Sequence, residues 1–111
     1  MSFSKTDGAP ITLETAKKWT ANYRAKNPNG VKAHFYGSDL FNHLLSLPDA
    51  VGIRIYNGLD DEGNQRLVLV AAKENENNIL SNESGTESHH EYVWDDSRVC
   101  PPNCPDPDDG L

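Results

Sequence analysis

Positive charge is in short supply: ten Lys and Arg stand against seventeen Asp and Glu, a net charge of −7. Phosphate contacts need clustered cations, so this balance argues against a nucleic-acid binder. No apolar stretch approaches the roughly 20 residues of a bilayer-spanning helix, which argues against a membrane partner. The opening Met1-Ser2-Phe3-Ser4-Lys5 has no apolar run behind its lysine, so nothing marks a cleaved signal and the expected location is cytoplasmic. Cysteine is limited to Cys100 and Cys104, too few for a disulfide framework or a four-cysteine zinc site. Glycine-rich phosphate loops and nucleophile motifs are also missing, so no cofactor is expected and a non-enzymatic role is favoured. The 111 residues have room for one domain and not two.

What charge there is falls unevenly. Residues 1–72 carry eight basic and seven acidic side chains, whereas residues 73–111 carry two basic and ten acidic ones. Patterned apolar sequence also stops near residue 73 and gives way to Glu, Asn, Ser, Gly, Pro and Asp, a composition that buries too little apolar surface to offset chain entropy. The expected division is therefore a flexible arm over 1–10, a globular body over 11–72 and an acidic, Pro-rich tail over 73–111. Ile79-Leu80 and Tyr92-Val93-Trp94 are the groups able to pull that tail back onto the body.

Thr12 stands where a helix N-cap belongs, with Glu14 favouring the positive helix end. At 100° per residue Leu13, Ala16, Trp19, Thr20 and Tyr23 fall on one side, which predicts an amphipathic helix closed by Asn27-Pro28. Val31, Ala33 and Phe35 alternate with Lys32, His34 and Tyr36 and predict a strand with His34 on its polar side. Ser38 is placed to cap a second helix whose apolar side is Leu40, Phe41, Leu44, Leu45 and Leu47, ending at Pro48. Val51 to Tyr56 alternates, the pattern of a strand with one wet face. Leu67 to Ala72 is apolar throughout, the pattern of a central strand covered on both faces, with Leu69 among its most buried residues. Residues 57–65, polar and glycine-bearing, connect the two as a hairpin. These elements make an α+β two-layer sandwich, two helices on a mainly antiparallel sheet of three or four strands.

Cys100-Pro101-Pro102-Asn103-Cys104 is the one short motif that bears on chemistry. Three intervening residues fit neither a thioredoxin-like pair nor a zinc knuckle, which leaves free thiols or a small local disulfide whose closure Asn103 favours. A metal site is the weaker reading and would draw His89 or His90 in with Cys100 and Cys104, but adjacent histidines on a strand point to opposite faces. Asp60-Asp61-Glu62-Gly63-Asn64 is rich in oxygen donors, yet its glycine comes too early for an EF-hand loop and strands flank it, so a hairpin turn is expected. Lys17, Lys18, Arg24, Lys26 and Lys32 form a candidate interaction surface around the first helix, opposed by Glu14. A small enzyme would need a pocket built from His34, His43, Arg54 or Tyr56.

Ile11-Thr12-Leu13-Glu14, Val51 to Tyr56, Leu67 to Val70 and the Cys100 to Cys104 motif together resemble a group of small uncharacterised proteins of Bacteroidetes-type bacteria. The resemblance implies a bacterial origin and a body continuous with its tail, and it assigns no site residue. The expected function is a protein-interaction module, meeting a protein partner or a second copy of itself through a sheet edge or the acidic tail. A thiol or metal-binding module using Cys100 and Cys104 is the alternative, and a small enzyme the next.

Overall fold

Thr12 caps the first helix, α1 (Leu13–Lys26), by accepting a hydrogen bond from Thr15 N through Oγ1 at 3.1 Å. The remaining elements are β1 (Ala33–Phe35), α2 (Ser38–Ser46), β2 (Ala50–Leu59), β3 (Gln65–Lys73), β4 (Val93–Trp94) and β5 (Arg98–Cys100). All come from a computed structural model that describes residues 2–81 and 92–111. The chain is a small α+β fold with one antiparallel sheet in the order β2-β3-β4 and a separate antiparallel pair, β1-β5. Residues 2–7, 36–81 and 92–96 make one compact unit, and residues 8–35 with 97–111 make another. This differs from the division expected at residue 73. The reason is strand pairing: β3 takes a late neighbour in β4, while β1 takes its partner from residues 98–100.

In the larger unit β3 is the central strand, with Ile55 opposite Leu69 on one side and Trp94 opposite Leu69 on the other. Leu69 and Ala71 are fully buried, and α2 lays Leu40 and Leu44 against them. Ile79 completes this core, its backbone N–H donating to Ala71 O at 2.9 Å, and Tyr92 and Trp94 pack against it. Two details of α2 depart from expectation. Gly37 occupies the N-cap and makes no side-chain bond, so Ser38 is already helical. Leu45 is half exposed because it lies 100° around from Leu44, off the buried arc. The connection from β2 to β3 is a tight turn with Gly63 at φ +85°, a conformation that favours glycine.

Residues 2–7, part of the 1–10 segment expected as a flexible arm, are tied to the larger unit. Phe3 N donates to Glu74 O at 2.8 Å, and the Arg54 guanidinium carbon lies 4.9 Å from the Phe3 ring centre. Ser4 and Asp7 close a turn, Ser4 N donating to Asp7 Oδ2 at 3.1 Å and Asp7 N to Ser4 O at 3.1 Å.

In the smaller unit β1 keeps its alternation but in the opposite phase to that expected: Phe35 is 65% exposed, and His34 is half-buried opposite Val99. A period of two fixes which residues share a face and leaves open which face turns inward. Pairing with β5 decides it here. Lys32 N donates to Cys100 O at 2.7 Å, extending the ladder by one bond.

Candidate functional site

Helix α1 buries none of its residues. Thr15, Ala16, Thr20 and Arg24 are its more sheltered residues, while Leu13 is 61%, Trp19 58% and Tyr23 40% exposed. Ile11, just ahead of the cap, is exposed as well. The amphipathic pattern is therefore present with Leu13 and Trp19 exposed among the described residues. Of the five candidate cations, Lys17, Lys18, Lys26 and Lys32 are exposed, whereas Arg24 Nη1 donates to Leu111 O at 2.7 Å. The helix thus presents an apolar flank beside lysines, and Glu14 is the one acidic residue in its sequence.

Cys100 and Cys104 are joined in a disulfide, with their Cα atoms 4.9 Å apart. Asn103 closes the ring: its backbone N donates to Val99 O at 2.9 Å and its Nδ2 to the same oxygen at 3.2 Å. The Cys100–Pro101 and Pro101–Pro102 bonds are cis. Cys100 is buried at the end of β5 and Cys104 is exposed. In this state neither sulfur is a thiolate available to a metal. His89 and His90 lie outside the described residues, and among the described residues no three His, Cys, Asp or Glu are grouped to hold a metal ion.

Of the four residues on which an enzymatic pocket would depend, His34 lies in the smaller unit and His43, Arg54 and Tyr56 in the larger. His34 shares a hydrogen bond with Ser97 Oγ through Nδ1 at 2.9 Å, and its Nε2 is buried without a partner among the described residues. His43 stacks obliquely on Trp94, ring centres 5.6 Å apart. Arg54 and Tyr56, two apart on β2, share one face and meet through Asn78. Arg54 Nη1 donates to Asn78 Oδ1 at 2.7 Å and to Glu76 O at 3.0 Å, and Asn78 Nδ2 donates to Tyr56 OH at 2.7 Å. The Asn78 amide, and after it the Arg54 guanidinium, hold the Tyr56 hydroxyl below the ordinary phenol range.

Arg54 also lines a cleft of about 380 Å³ between β2 and the segment at residues 3–7. This cleft was not legible in the sequence. It depends on Phe3 and Lys5 returning to the sheet and on a register irregularity between Ala50 and Gly52 at the start of β2.

The oxygen-rich loop is a hairpin turn. Asp60 Oδ1 accepts from Glu62 N and Asn64 N, each at 2.9 Å, and Oδ2 accepts from Arg66 Nε at 3.1 Å. These donors, the Asn64 backbone first, hold the Asp60 carboxyl below its ordinary value.

Comparison with protein families, with curated proteins and with solved structures gives no match. No helix among the described residues is long and apolar enough to cross a membrane.

Proposed function

We propose that the chain is a non-enzymatic protein-interaction module of the bacterial cytoplasm, and that it offers α1 to an acidic, partly apolar segment of another protein. The observation that carries this reading is a helix with no buried residue that still displays Leu13, Trp19 and Tyr23 beside Lys17 and Lys18. Fully burying a leucine contributes about 1.5–3 kcal/mol, and Trp and Tyr are the side chains that most often anchor interfaces. The exposed lysines choose the sign of the partner, since like charge at the rim disfavours basic surfaces. His43 packed on Trp94 and Tyr56 engaged by Asn78 are settings that support the non-enzymatic reading.

A photo-crosslinking residue at position 19, in cells that naturally make the protein, tests this directly. The reading expects one discrete protein adduct, lost with Lys17→Glu/Lys18→Glu and missing when the crosslinker sits at exposed Asp39. Adducts of equal yield from positions 19 and 39 would dismiss it.

A second reading, a thiol module, is favoured by the Cys100–Cys104 disulfide. Reversible conversion between one disulfide and two alkylatable thiols inside cells, read by mass, would promote it.

A further inference from the structure

The cleft beside the start of β2 has walls of two kinds. Val51 and Ala72 are apolar, with the backbone of Ile53 between Gly52 and Arg54, and the Phe3 ring sits against Arg54, whereas Lys5 and Arg54 bring two cations. Asp7 is the one carboxylate among the lining residues, and it is engaged by Ser4 N. The lining therefore carries an excess of one positive charge beside an apolar floor. A guanidinium has five N–H donors, and those of Arg54 Nη1 answer Glu76 O and Asn78 Oδ1, which orient the group and leave donors over for a ligand. Two anchors on Nη1 and a ring packed on the guanidinium mean that little side-chain entropy is lost when an anion arrives.

Gly52 opens this space. A Cβ built there meets nothing within 4 Å, and its φ lies outside the left-handed region, so a side chain at 52 would enter the cleft without backbone strain. At about 380 Å³ the cleft falls at the lower end of the range for small-molecule sites, about 300–1,000 Å³.

We propose that this cleft binds a small aromatic or branched aliphatic carboxylate, its carboxylate paired with the Arg54 guanidinium and its apolar body lying on Val51 and Ala72 beside Phe3. A carboxylate matches the planar fork of an arginine better than a spherical anion does. The apolar floor selects against a fully hydrated ion such as phosphate. Lys5, exposed at the rim, adds attraction without fixing orientation. This site lies in the unit that does not contain α1, and its test is independent of the protein-interaction reading.

Backbone amide NMR titrations of the full chain with benzoate, benzamide and inorganic phosphate, each alone, decide the matter. Benzoate is expected to shift the amides of Gly52, Ile53 and Arg54 saturably. Benzamide, equal in shape and lacking the charge, should bind at least about tenfold more weakly, the scale of a charge-assisted hydrogen bond. Arg54→Gln should weaken benzoate by a similar factor. Because that change also releases Glu76 and Asn78, Gly52→Leu serves as the second variant: it should abolish the benzoate shifts while leaving the dispersed amide spectrum of the fold. Equal shifts from benzoate and benzamide, equal shifts from phosphate, no saturable response, or an unaltered benzoate titration in Gly52→Leu would each overturn the proposal.

Discussion

The Arg54 guanidinium carbon sits 4.9 Å from the centre of the Phe3 ring, and Phe3 N donates to Glu74 O at 2.8 Å, so residues 3–7 are held to the sheet by two unlike contacts. Arginine over an aromatic face contributes about 0.5–2 kcal/mol, depending on how dry the pair is. Phe3→Ala is therefore expected to lower stability by that amount and to speed tryptic cleavage after Lys5. Unchanged cleavage would show that the ring does not anchor the segment.

Leu44 and Leu69 are fully buried in one cluster. Leu69→Ala should cost about 2–5 kcal/mol in chemical denaturation, the range for deleting a buried aliphatic side chain. Leu45→Ala, next in sequence to Leu44 yet half exposed, should cost under about 0.5 kcal/mol. Equal losses would mean that the α2 face is wrongly assigned.

The sequence made the local elements legible and the long-range pairings much less so. Thr12, the Asn27-Pro28 stop and the all-apolar run through Leu69 each act within a few residues, and each marks what the structure contains. The alternation in β1 points His34 outward, whereas its inward side depends on Val99 and Cys100, more than sixty residues later. The same distance hid the cleft. Nothing in Phe3 or Lys5 announces a return to β2, and the donor set around Arg54 comes from a turn at Glu76 and Asn78 whose position only folding settles.

Asp60 gives a pH prediction whose sign follows from its donors. The Asn64 and Glu62 amides and the Arg66 guanidinium favour the charged carboxylate, so the folded form is the stronger acid. Its contribution is complete above the unfolded value, roughly pH 4, and is lost as pH falls through the lower folded value. Wild type should exceed Asp60→Asn in stability at neutral pH, with the difference shrinking on acidification through that window. A difference that does not change with pH would show that the carboxylate charge plays no part in the turn.

The Cys100–Cys104 disulfide closes a short ring, for which the chain-entropy relation gives about 2 kcal/mol. Cys100 O accepts from Lys32 N, so reduction should speed hydrogen exchange at the Lys32 amide, by up to about thirtyfold. The Leu69 and Ala71 amides, in the other unit, should exchange as before. Acceleration at Leu69 with none at Lys32 would contradict this.

The central claim is that the apolar face of α1 is held in reserve for a partner instead of serving the chain's own core. Trp19, 58% exposed in a helix without a buried residue, is where that claim is sharpest. The most direct measurement is the unfolding free energy of Trp19→Ala in the isolated protein. The account predicts a change within about 0.5 kcal/mol of wild type, as for a surface position. A loss of about 2 kcal/mol or more, the cost of emptying a core site, would contradict it.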